Sequence, residues 1–200
     1  MKSIPLALIY LRLLIGVILI IFSLEGINYY EIIVVILVSI GLVSDIFDGI
    51  IARHLNVSSK KLRRLDSTVD QIFWCLVVIS TFIHSPDFFN KNYIQLIALI
   101  GIEALTYLVS FAKFRKEVAT HAIASKIWTL TLFATLLQLI YMGDSHILFQ
   151  ICFYIGIITR LEILTILLLL RSWTNDVPSV YHAVRLRQGK TIQRNKLFNG

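Results

Sequence analysis

Six apolar runs, near 4–24, 29–53, 66–84, 93–112, 120–142 and 147–171, divide this 200-residue chain. About 20 consecutive apolar residues suffice to cross the hydrocarbon core of a bilayer as a helix. Inside lipid such a segment has no water to satisfy its backbone, so it closes its own hydrogen bonds as a helix. The fold expected is therefore all-α, a polytopic membrane protein with six transmembrane helices. The composition agrees, with 57% hydrophobic residues and only three prolines. The length suits a single domain, a six-helix transmembrane domain over 1–171, followed by a basic tail over 172–200.

The first run starts directly after Lys2 and carries Arg12 within it. It lacks the shorter core and small-x-small exit of a cleaved signal peptide, so it reads as a permanent first helix. Cys75 and Cys152 lie in separate apolar runs and read as packing residues. The five histidines form no zinc pattern.

Lysine and arginine set the orientation. Lys2, the connection holding Arg53, Lys60, Lys61, Arg63 and Arg64, the connection holding Lys113, Arg115 and Lys116, and the six basic residues from Arg171 onward all fall on one side. The other side has Lys91 alone, fifteen against one. The positive-inside rule then puts both termini in the cytoplasm. The net charge of +7 is accounted for by topology and attraction to anionic lipid, with no nucleic-acid partner.

Against this apolar background, Asp45, Asp48, Asp66 and Asp70 cluster on either side of the second connection, four of only twelve acidic residues. Ionisable residues in spanning helices are costly and mark a functional site by default. Residues three and four apart share a helix face. Asp45, Asp48, Gly49 and Ala52 thus form one stripe on the second helix, and Asp66 and Asp70 stand one turn apart on the third. Two such helices face to face make an oxygen-rich cage suited to hard cations such as Mg²⁺ or Mn²⁺. Asp45 lies eight residues before Arg53, roughly 12 Å deep at 1.5 Å per residue. The expected cavity opens to the cytoplasm but is lined at membrane depth.

The pattern Asp-x2-Asp-Gly-x2-Ala-Arg-x8-Gly-x3-Asp-x3-Asp, carried by Asp45, Asp48, Gly49, Ala52, Arg53, Asp66 and Asp70, resembles the signature of the CDP-alcohol phosphatidyltransferases, integral membrane phospholipid synthases. Leu62 stands where that signature has its second glycine. The resemblance implies transfer of a phosphatidyl group from CDP-diacylglycerol to an alcohol acceptor with release of CMP, and two divalent cations, Mg²⁺ or Mn²⁺. It makes Asp45, Asp48, Asp66 and Asp70 metal ligands, with Asp70 also the catalytic base for the attacking hydroxyl. Asp45, Gly49, Ala52, Arg53 and Leu62 would line the nucleotide side, where the leucine side chain either narrows the pocket, alters the cytidine contacts or is accommodated by a shifted loop. The family also suggests a homodimer, and for a bacterial chain the plasma membrane.

The remaining intramembrane charges are Arg12, Glu103, Lys126, Arg160 and Glu162. Together with Arg53 and the four aspartates they sum to −2, which two divalent cations would bring to +2, a sign suited to a diphosphate if all ten share one cavity. Glu103 has a plainer reading as the partner of Arg12, Lys126 or Arg160. Ser125-Lys126-Ile127-Trp128-Thr129 resembles the family's Gly-Lys-x-Lys-Thr run, with Ser125 and Trp128 as departures, and Ile4-Pro5 with Arg12 resembles its opening helix. Arg12, Lys113, Arg115, Lys126 and Arg160 are the cations available to a phosphorylated acceptor, and they serve topology or lipid phosphates equally well. The short six-helix layout favours glycerol 3-phosphate and leaves serine, inositol or another phospholipid open.

In the tail, Val177, Val180, Tyr181 and Val184 recur at helical spacing, as in a helix lying on the membrane surface; a solvated end is the alternative. Two other functions use the same carboxylates, an ion or solute transporter and a non-catalytic membrane scaffold. Against a transporter, the charges thin out beyond mid-depth and no inverted repeat is visible.

Overall fold

In the computed structural model the described residues are 4–55, 59–116, 118, 123–174 and 177–192, and the side chains of Arg53, Lys60, Lys61 and Arg63 fall outside that set. Among the described residues the regular structure is entirely helical: α1 (Ile4–Glu25), α2 (Tyr30–His54), α3 (Lys60–His84), α4 (Pro86–Lys91), α5 (Tyr93–Phe114), α6 (Ile123–Met142), α7 (Ile147–Leu169) and α8 (Val180–Arg187). All but α4 and α8 are long and apolar enough to cross a membrane, as the six apolar runs require. Many of their large apolar side chains point outward, Leu14, Ile36, Ile97, Ile100, Leu108 and Ile158 among them. In water so much exposed apolar surface would drive aggregation; against lipid tails it costs nothing.

Local chemistry explains where helices start and stop. Gly26 (φ +59°) and Gly143 (φ +73°) take the left-handed conformation after α1 and α6, and each N–H bonds back four residues, to Phe22 and Leu139. Ser59 caps α3, its hydroxyl accepting from the Leu62 N–H at 3.1 Å. The third helix therefore begins six residues before the expected 66, because its first turn is basic and lies outside the apolar run. Pro86 opens α4 at the first helical position, where a missing N–H is harmless.

The chain divides into two compact units. The first comprises Met1–Phe89 with Leu136–Asp144. There α1 packs on both α2 and α3, with Ile9, Ile15 and Leu19 buried from α1, Val34 and Val38 from α2, and Val69, Phe73 and Val77 from α3. The fourfold spacing on α2 and α3 places each set on one face. Two glycines leave room for side chains of α3. A Cβ on Gly16 would lie 2.7 Å from Leu76 Cδ1, and one on Gly41 would lie 2.3 Å from Phe73 Cζ. At one end of the trio the Ser23 hydroxyl lies 2.8 Å from Tyr30 Oη and 2.5 Å from Ser80 Oγ, and Ser80 also donates to the Leu19 carbonyl at 3.2 Å. The His84 ring stacks on Tyr30 with centroids 4.3 Å apart. Arg12 and the four aspartates are at the other end.

The second unit comprises Asn90–Thr135 with Ser145–Gly200. In it α5 packs on α7, and α7 on α8. Gly156 of α7 lets Trp128 and Leu99 approach to within 3 Å of where its Cβ would be, and Gln95 and Gln150 join α5 to α7 at 3.0 Å. Lys113 Nζ donates to the carbonyls of Leu167 (2.9 Å) and Leu168 (2.7 Å), satisfying the C-terminal end of α7. The helical spacing expected in the tail is realised as α8. Its Ala183 and the preceding Val177 are buried with Ile163, Ile166, Leu167 and Leu170 of the α7 end, while Tyr181 stays exposed. Cys152 is buried, whereas Cys75 is exposed on the outer face of α3, so only the former packs inside the protein.

Candidate active site

The site grows from the α2 stripe and the start of α3. Asp45 and Asp48 lie one and two turns after Gly41, Asp66 and Asp70 lie in the turns before Phe73, and α1, packed on both α2 and α3, gathers the two carboxylate pairs while the tip of the Phe73 ring reaches Gly41. On α1, Arg12 lies one turn before Gly16, whose contact with Leu76 holds α1 against α3. The Arg12 side chain is fully buried and its fork spans all four carboxylates. Nη1 contacts Asp45 at 2.6 Å and also Asp70; Nη2 contacts Asp66 at 2.9 Å and also Asp48. Asp48 is buried, while the side chains of Asp45, Asp66 and Asp70 remain 35%, 29% and 28% exposed, so the cluster is reachable along those three.

This donor set suits a hard cation. Asp45, Asp48 and Asp66 each offer a carboxylate oxygen, and those oxygens lie within 4.8 Å of one another. Four carboxylates against one guanidinium leave a formal charge of −3. Oxygen-only ligands with surplus negative charge are what Mg²⁺ and Mn²⁺ take. The family model for the CDP-alcohol phosphatidyltransferases matches residues 2–162. The chain belongs to this family. No curated protein and no solved structure matches the chain. As a CDP-alcohol phosphatidyltransferase with six spanning helices, it is an integral membrane protein of phospholipid synthesis. Members of the family use divalent metals, and the aspartate cluster is where this transferase could hold one.

Around the cluster, Gly49 is half-buried and Ala52 buried on α2, as small residues beside a cage should be. Leu62 is half-buried in the first turn of α3, one turn before Asp66, with its N–H used by the Ser59 cap. The Arg53 side chain lies outside the described residues. Arg12, read from the sequence as an acceptor contact, makes its contacts with the four aspartates. The remaining acceptor candidates belong to the second unit. Arg160 pairs with Glu103, one of the three partners weighed for that glutamate, and its guanidinium sits 4.6 Å from the centroid of the Trp128 ring. Trp128 Nε1 and Ser125 Oγ are buried there without a hydrogen-bond partner among the described residues. Lys113 is engaged by the α7 carbonyls, Arg115 forms the left-handed cap of α5, and Lys126 is exposed on α6.

Proposed function

We propose that this family member transfers a phosphatidyl group from CDP-diacylglycerol to an alcohol acceptor, with the four aspartates of α2 and α3 as the reaction centre. The observation that carries the reading is their convergence at one end of the first unit, with Asp45, Asp48 and Asp66 at metal-ligand spacing. In the transfer, the acceptor oxygen forms a bond to the lipid-side phosphorus as the bond from that phosphorus to the CMP oxygen breaks. CMP leaves with the electron pair, and the hydroxyl proton passes to Asp70. That role needs Asp70 ionised and within hydrogen-bond reach of the hydroxyl, and its partial exposure supports such access. Asp45, Asp48, Asp66 and Asp70 would hold two divalent cations, Mg²⁺ or Mn²⁺, which when bound neutralise diphosphate charge and stabilise the leaving CMP.

Gly49 and Ala52 leave room for the nucleotide beside Asp45, Arg53 serves its phosphates, and Leu62 narrows that side. The acceptor in this reading is a phosphorylated alcohol, glycerol 3-phosphate first, as the short six-helix layout favours. The transmembrane domain 1–171 carries the chemistry, and 172–200 is a basic tail. The distribution of basic residues supports cytoplasmic termini and a cytoplasm-facing site, in the plasma membrane if the chain is bacterial, and a homodimer is the assembly that the resemblance suggests.

The test is CMP release by purified protein in detergent with CDP-diacylglycerol and Mg²⁺ or Mn²⁺. Glycerol 3-phosphate, inositol phosphate, inositol and serine are supplied separately, and the lipid product is identified by mass. Release that depends on one acceptor names the reaction. Acceptor-independent release indicates hydrolysis or an alcohol outside the four tested. No release from folded, metal-binding protein returns the scaffold, or the transporter if sealed vesicles then show flux.

A further inference from the structure

Arg12 belongs to no step of the transfer just described, yet its side chain is tightly held. It is fully buried in an apolar helix and its two terminal nitrogens are shared among four carboxylates. Its Nε makes no hydrogen bond among the described residues, so the carboxylates alone hold the guanidinium in place. Four carboxylates so close together cannot all stay ionised in a low-dielectric site without a cation among them. The oxygens that Arg12 engages on Asp45, Asp48 and Asp66 belong to the carboxylates whose oxygens lie within 4.8 Å of one another.

We propose that Arg12 is a built-in counter-ion of the aspartate cage, one that keeps the metal-free protein folded and with which divalent cations compete for the same carboxylates. This rests on reading the aspartates as metal ligands. Two consequences follow. Without metal, the guanidinium screens the mutual repulsion of α2 and α3. With metal, its contacts on Asp45, Asp48 and Asp66 must loosen, so part of the binding energy is used to displace it and the apparent affinity is lowered. A resident cation of this kind would let the chain insert and fold before it meets Mg²⁺, and would keep the cage from closing on the metal too tightly to turn over.

The experiment is a Mn²⁺ titration followed by electron paramagnetic resonance on full-length protein in detergent, alongside thermal unfolding in chelator. Wild type is compared with Arg12→Met, which keeps the apolar stem and removes the charge. The proposal expects Arg12→Met to unfold at lower temperature in chelator, to recover that loss when Mn²⁺ is added, and to bind Mn²⁺ at least about tenfold more tightly, because one competing charge is gone. Unchanged or weaker Mn²⁺ binding in Arg12→Met, with wild type binding normally, overturns the proposal and leaves the metal reading intact. No Mn²⁺ binding by either protein removes both. If Arg12→Met cannot be recovered, Arg12→Lys replaces it. A point charge serves fewer carboxylates than the fork, so tighter Mn²⁺ binding than wild type is again expected, and equal or weaker binding overturns the proposal.

Discussion

Replacing Gly41 with alanine should damage the site without touching any residue in it. The new Cβ would stand 2.3 Å from Phe73 Cζ and 2.9 and 3.0 Å from two neighbouring ring atoms. Comfortable carbon–carbon contact is about 3.5–4.0 Å, so the contact must open by about 1.2 Å or more. Phe73 is 1% exposed, so its ring moves mainly by displacing packed neighbours. Part of the displacement therefore falls on how α2 and α3 are held around α1, one turn from Asp45 and three residues from Asp70. Overpacking of this kind costs about 1–3 kcal/mol. Octahedral coordination at about 2.0–2.1 Å tolerates little of such a shift, so Mn²⁺ affinity should drop about tenfold, the equivalent of about 1.4 kcal/mol. Thermal unfolding in detergent and a Mn²⁺ titration read the two effects, and Phe73→Leu in the Gly41→Ala background should restore part of both. A Gly41→Ala protein that unfolds at the wild-type temperature and binds Mn²⁺ as wild type does would refute the close-approach reasoning.

Two further outcomes follow from the same geometry. Tyr30→Phe removes the hydroxyl shared with Ser23 and Ser80 at the end remote from the aspartates; it should lower stability by about 0.5–1.5 kcal/mol and leave Mn²⁺ affinity unchanged, as unfolding and titration together would reveal. Leu62→Gly should retain or improve CDP-diacylglycerol binding by opening the nucleotide side, at a helix cost of about 1 kcal/mol; a clear loss of binding, measured by equilibrium titration, would count against the placement of Leu62.

The six spanning helices were legible because length and apolarity alone decide them in lipid. The carboxylate pairs were legible too, since Asp45 with Asp48 and Asp66 with Asp70 share helix faces by spacing. What the spacing could not convey was tertiary. Arg12 meets all four carboxylates because α1 packs on both α2 and α3, a long-range fact that no local window contains. Glu103 had three candidate cations, and packing within the second unit selected Arg160. Some local signals were present but outweighed. Ser59 ahead of Leu62 marks the start of α3, and Pro86 marks α4, yet both lie where hydropathy draws no run. In the tail the apolar spacing foretold a helix, but not that Val177 and Ala183 would be covered by the end of α7.

The most direct test of the account is CMP release from CDP-diacylglycerol, with acceptor and Mg²⁺, by wild type and Asp70→Asn side by side. The neutral amide preserves shape but cannot take the hydroxyl proton, so the account predicts turnover by wild type and none detectable in a variant that unfolds cooperatively like wild type. Equal CMP release by the two proteins would contradict it.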